Sequence, residues 1–202
     1  MSPTRRRLVA LVALGLTAVG PAFVQAAPDP NADIGLGNPK AKVTVIEYAS
    51  MSCPHCARFN NEVFPAFKAK YIDTGKVHYI LREFLTEPVE VSAAAFLLAR
   101  CSPRDKYFAV VDTFFRGQEA MYKSGNVNAA LLKAGQAAGL NHDQIKACLD
   151  DDAALKALNV RVEGYARAGI NSTPTFVVNG RKLDNEHEAT LESLGAAVAA
   201  AK

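Results

Sequence analysis

The amino-acid sequence predicts an α/β fold carrying an inserted helical domain. Two observations carry that prediction. Short β-branched runs near both ends of the chain are each followed by a helical pattern, and between them residues 88–168 read almost wholly as helix. A third observation gives the fold a candidate reactive centre: Cys53-Pro54-His55-Cys56 sits directly between a strand pattern and a helix pattern.

Residues 1–26 are set apart from the fold. Arg5, Arg6 and Arg7 precede an apolar stretch from Leu8 to Val19, then Gly20-Pro21 and small residues, the pattern of a secretory signal cleaved after Ala26. Thr4-Arg5-Arg6-Arg7-Leu8 also resembles a twin-arginine signal, so both export routes stay open. The stretch is too short and too rich in Ala and Gly for a stable membrane span. Those three arginines account for the whole formal +3 charge, the excess of 23 Lys and Arg over 20 Asp and Glu, and nothing suggests nucleic acid. The expected organisation is a signal peptide over 1–26, a sheet-bearing domain over 27–87 and 169–202, and a helical domain over 88–168.

Residues 42–49 (KVTVIEYA) read as the first strand and 57–71 as an amphipathic helix, with Phe59, Val63, Phe67 and Tyr71 in step with its turn. Pro65 removes one donor inside that helix and is expected to kink it rather than end it. Thr74-Gly75 closes the helix and 77–84 (VHYILREF) forms the next strand, completing a β-α-β unit. Helices are then expected over 91–101, 104–115, 127–138 after an Asn126 cap, 143–149 after an Asn141 cap and 153–168 after an Asp152 cap. Strands return at 175–178 and 181–183 around an Asn179-Gly180 turn, and an Ala-rich helix follows over 188–200.

Four cysteines and no fifth in an exported chain are the count for two disulfides. Once Cys53 pairs with Cys56, Cys101 and Cys148 remain. A zinc ribbon would need a second close pair, and covalent haem would need His after Cys56, where Ala57 stands, so neither metal nor cofactor is expected. A thiolate at a helix N-terminus faces unpaired N–H groups and the positive end of the helix dipole, so its pKa falls. Cys53 is therefore expected to be the exposed attacking thiolate and Cys56 the buried resolving thiol. Pro54 suits the first helical turn, where its missing N–H costs nothing. His55 can stabilise the Cys53 thiolate, each lowered pKa unit corresponding to roughly 1.4 kcal/mol. Glu47 lies in an apolar strand, where an acid is unfavourable unless paired or functional, and is a candidate proton acceptor for Cys56, with Arg82 a possible partner. The remaining histidines, His78, His142 and His187, show no metal spacing. Met51, Phe59, Phe84 and Met121 serve as core or as the lining of an apolar groove.

Cys53-Pro54-His55-Cys56, Glu47 six residues before it, and Thr173-Pro174-Thr175-Phe176 leading into Val178-Asn179-Gly180 together resemble the DsbA-like family of exported thiol oxidases. The resemblance implies a thioredoxin fold with an inserted helical domain. It also implies a cis Thr173–Pro174 bond facing the dithiol, with Thr173 and Pro174 presenting backbone to substrate, and a buried Glu47 that helps proton transfer. In some members a structural disulfide lies where Cys101 and Cys148 fall, although free thiols, or a bridge that also tunes the dithiol, stay open. Asn171-Ser172 departs from the glycine often found before the proline. The expected partners are reduced, partly folded exported proteins and a quinone-coupled membrane reoxidase of the DsbB type; the expected state is a periplasmic monomer. A disulfide isomerase or reductase would use the same residues at another redox poise. A peptide-binding chaperone would hold Cys53–Cys56 only as a structural bridge.

Overall fold

A computed structural model describes residues 32–184 and 189–201 of the chain. The expected signal segment, His187 and the expected start of the last helix at Glu188 lie outside the described residues. Five strands, β1 (Ile34–Leu36), β2 (Val43–Ala49), β3 (Val77–Glu83), β4 (Thr175–Val178) and β5 (Arg181–Lys182), make one mixed sheet in the order β1-β3-β2-β4-β5. β2 and β3 run parallel from Val43 opposite Val77 to Ala49 opposite Glu83, and every other neighbouring pair is antiparallel. Strand alternation places Val43, Val45, Glu47 and Ala49 on one buried face of β2. The three-residue β1 was not anticipated, because so short a run shows no period.

The β2–β3 crossover begins with α1 (Pro54–Arg58) and continues through α2 (Phe64–Phe67) to Ile72. Pro65 does not end it. The turn before the proline widens instead, with the Phe64 N–H reaching back five residues to the Phe59 carbonyl, and a second widened turn spans Lys68–Ile72. The buried edge of this helix, Phe59, Phe67 and Ile72, packs on the sheet with Phe176 of β4. On the same core lie Leu194 and Val198 of α8 (Leu191–Ala200). That helix opens at a Thr190–Ser193 capping box rather than at 188. The hairpin between β4 and β5 turns on Asn179 (φ 45°) and Gly180 (φ 83°), both left-handed, as a type I′ turn requires. The Asn179 side chain accepts from the Thr44 N–H at 2.8 Å and donates to the Lys42 and Ala201 carbonyls at 3.1 Å, tying the hairpin to β2 and α8.

Between β3 and β4 the chain forms α3 (Val89–Cys101), α4 (Tyr107–Ser124), α5 (Val127–Ala137), α6 (His142–Leu149) and α7 (Asp152–Arg167). Phe96, Leu98, Val110, Phe114, Phe115, Leu131, Ile145 and Leu158 join these helices into a core continuous with that of the sheet. Asn126 and Asn141 cap α5 and α6 as expected. Two expectations are corrected. The cap of α7 is Asp151, whose carboxylate accepts from the Ala154 N–H at 2.9 Å, one residue earlier than Asp152. The helix expected over 104–115 begins with a single 3₁₀ turn at Arg104–Lys106 and then runs on as α4 to Ser124, where Gly125 (φ 69°) ends it in a left-handed cap. Cys101 at the end of α3 and Cys148 near the end of α6 form a disulfide with Cα atoms 5.6 Å apart. Closing a loop of this length stabilises by about 4 kcal/mol in the chain-entropy model. Among the described residues, no helix is long and apolar enough to cross a membrane.

Candidate active site

β2 delivers the chain to the dithiol through the short loop 50–53. Cys53 is the N-cap of α1, in an extended conformation (φ −78°, ψ 121°), and Pro54 occupies the first helical turn, where no N–H is missed. Cys53 and Cys56 are free cysteines, with no disulfide between them. Cys56 is fully buried, and Cys53 is only 7% exposed, so the exposed nucleophile expected from sequence is largely covered. The cover comes from the β4 side: the Cys53 thiol donates to the Thr173 carbonyl at 3.3 Å, and the Thr173–Pro174 bond is cis. Glu87–Pro88, which leads into α3, is also cis. Ser172, where a glycine is common, closes its own turn, its carbonyl accepting from the Thr175 hydroxyl at 2.7 Å.

The pKa values of the two cysteines are pushed apart. The Cys53 pKa is lowered to about 5, first by the hydrogen bond from the Cys56 thiol, then by the Thr173 side chain and the backbone N–H groups of Cys56 and His55, against the opposing effect of burial. His55 thus contributes here through its backbone N–H at the helix start. Burial pushes the Cys56 thiol well above the ordinary value, and the negative charges of Cys53 and Glu47 add to that.

Glu47 is buried beneath the pair, and burial raises its pKa to about 8. Its partner is not Arg82. Strand alternation sends Arg82 to the opposite face of β3, where it pairs with Asp33 at 2.8 Å and donates to the Tyr48 hydroxyl at 2.7 Å. The Tyr79 hydroxyl, on the face that Glu47 shares, donates to the Glu47 carboxylate instead. That bond favours the ionised acid and so works against burial. Tyr79→Phe is therefore expected to carry the Glu47 pKa further up from about 8. The pH midpoint of the Cys56-dependent step should rise with it, as followed by rapid-mixing kinetics of mixed-disulfide resolution between pH 6 and 9.

Beside the dithiol runs an open groove of about 250 Å³ lined by His55, Arg58, Phe59, Glu62, Val63 and Thr190. Met51 and Met121 are buried core, as is most of Phe59, while Phe84 is half-buried. Among the described residues no three His, Cys, Asp or Glu side chains gather as metal ligands would. Sequence reasoning missed Tyr79, Gln118 and Tyr122. The Gln118 amide donates to the carbonyls of Met51 (2.7 Å) and Cys53 (3.3 Å), and the Tyr122 hydroxyl donates to that of Ser52 (2.9 Å). The signal that could have found the last two is the helical period itself, which runs from Phe114 through Gln118 and Met121 to the Gly125 stop.

A dithiol at a helix N-terminus, faced by a cis-proline loop on a mixed sheet with a helical insert, defines a protein of the thioredoxin fold with a candidate thiol-exchange site. The family model described as Thioredoxin matches residues 30–199. The chain belongs to the thioredoxin family. The crystal structure of Wolbachia pipientis alpha-DsbA1 superimposes with a TM-score of 0.73 at 29% identity, covering 87% of this chain and 92% of that one. A Rickettsia typhi protein provisionally named a protein-disulfide oxidoreductase is 37% identical over 157 residues, 77% of this chain and 57% of that protein. A Rickettsia bellii protein of the same provisional name is 34% identical over 168 residues, 82% of this chain and 63% of that protein. The chain thus spans less than two thirds of the length of these curated relatives.

Proposed function

We propose that the chain is a periplasmic thiol:disulfide oxidoreductase that works as an oxidase, donating a Cys53–Cys56 disulfide to reduced exported proteins. The observation that carries this reading is the asymmetry of the pair: an acidic Cys53 at the helix start and a buried Cys56 of raised pKa. A substrate thiolate attacks Cys53 Sγ, the Cys53–Cys56 bond breaks, and Cys56 leaves with the electron pair and takes a proton from the Glu47 carboxyl. A second substrate thiolate then attacks the substrate sulfur of the mixed disulfide and expels Cys53. Two electrons pass from the substrate dithiol to the protein. A thiol of low pKa leaves fastest and is the most stable as a thiolate, so the acidity of Cys53 favours this direction. Thr173 and Pro174 present backbone to the substrate, and the groove past His55 and Phe59 receives the chain beside the attacked sulfur. Reoxidation reverses the proton movement, with Glu47 accepting from Cys56, and falls to a quinone-coupled membrane enzyme of the DsbB type.

The test is the equilibrium of the Cys53–Cys56 pair with glutathione, in a protein with Cys101 and Cys148 both replaced by serine. A potential well above roughly −180 mV is the expected result, and a value near about −270 mV would make the protein a reductant and reverse the proposed electron flow.

A further inference from the structure

We propose that Gln118 and Tyr122 of the helical insert are positioning residues for the dithiol, clamping the backbone of the loop 51–53 so that the Cys53 sulfur stays against the α1 N-terminus. The inference rests on the dithiol reading above and adds a part for the inserted helices in it.

A buried loop must pair its N–H and C=O groups, and this one pairs most of them with the insert rather than with the sheet. The Met51 N–H donates to the Ser92 hydroxyl of α3 at 3.1 Å. The carbonyls of Met51, Ser52 and Cys53 are taken in succession by Gln118, Tyr122 and Gln118 again, all from α4, whose i, i+4 spacing puts both side chains on one face. Gln118 is buried and makes both of its contacts through one amide nitrogen; Tyr122 is 42% exposed and reaches in from the rim. The Cys53 carbonyl also accepts the first helical hydrogen bond, from the Ala57 N–H at 3.1 Å, so Gln118 holds the very peptide that starts α1.

Two consequences follow for the sulfur. The N-cap geometry of Cys53 keeps its side chain within reach of the His55 and Cys56 N–H groups, and that geometry depends on the preceding three peptides. The donors from α4 fix the direction of those three carbonyls, and with it the peptide planes that lead into Cys53. The closeness is felt in return: burial and the Cys53 charge together raise the Tyr122 phenol. Releasing the clamp should therefore weaken the thiolate and make the disulfide harder to reduce, while leaving the two sulfurs themselves in place.

Gln118→Leu keeps the side-chain volume and removes the donors; Tyr122→Phe removes one hydroxyl at a half-open site where folding is little affected. Each full-length variant is titrated by the ultraviolet absorbance of the Cys53 thiolate and equilibrated with glutathione, with thermal unfolding recorded alongside. Gln118→Leu is expected to move the ionisation midpoint of Cys53 up by about one pH unit and the glutathione equilibrium about tenfold toward the disulfide, equivalent to roughly 30 mV. Tyr122→Phe should move both the same way by about threefold. A midpoint and an equilibrium within twofold of the parent in both variants, beside an acidic Cys53 in the parent, would overturn the clamp alone. A parent Cys53 that titrates as an ordinary thiol would overturn the dithiol reading and the clamp with it.

Discussion

Cys56→Ser is expected to stop the reaction at the mixed disulfide. The variant keeps Cys53 at the N-cap, with the Thr173 side chain and the His55 backbone N–H still lowering its pKa, and a serine hydroxyl in place of the thiol that contributes most. Presented with an oxidised peptide, its thiolate should form an adduct that nothing in the protein resolves. Electrophoresis without reductant should show that adduct accumulating, while turnover with a reduced model substrate falls on the order of a thousandfold or more, the scale on which loss of a nucleophile acts. Cys53→Ser should lose as much turnover but form no adduct, because the remaining thiol is fully buried and its pKa is raised. An adduct in Cys53→Ser and none in Cys56→Ser would exchange the two roles. Disulfide formation unimpaired in Cys53→Ser would remove the redox reading altogether and leave the peptide-binding chaperone in its place.

Cys53 to Cys56 could be read because their chemistry needs a strand before them and a helix start at them, and both have strong local signatures. Asn126 and Asn141 could be read for the same reason: a cap is a contact between residues three apart. Glu47 stood out because an acid in a β-branched run demands an explanation. Its partner did not, since Tyr79 is set opposite Val45 only by the parallel register of β2 and β3, and register is a tertiary fact. Arg82 has the right charge but, paired with Tyr48 in the register, lies on the other face of the sheet. Gln118 and Tyr122 were lost for a more local reason. Gly117 and the polar residues around it broke the apolar pattern of α4, yet burial of Val110, Val111, Phe114, Phe115 and Met121 carries the helix through that weak point.

Glu83 is where the loss of one side chain should cost the most stability. It is the last residue of β3, its side chain has no exposure, and its carboxylate gathers four donors from three helices of the insert. Arg100 of α3 pairs with it through Nε and, at 3.1 Å, through Nη2; the Tyr107 hydroxyl of α4 donates at 3.2 Å; Arg161 of α7, itself buried, donates at 3.3 Å. Such a pair is weak evidence of net stabilisation when intact, because desolvation opposes the attraction. Broken, it removes the shared carboxylate from two largely buried guanidinium groups. Glu83→Ala is therefore expected to cost about 3 to 5 kcal/mol. At roughly 2 to 4 °C per kcal/mol for a chain of this size, its Tm should fall by about 6 to 20 °C in a circular-dichroism melt. Replacing Glu83, Arg100 and Arg161 together by Leu, Met and Met should recover at least half of that loss, since the penalty comes mainly from keeping two cations buried without their shared carboxylate. A triple variant less stable than Glu83→Ala would mean instead that the cluster contributes net attraction, and that electrostatics as well as apolar packing joins the insert to the sheet.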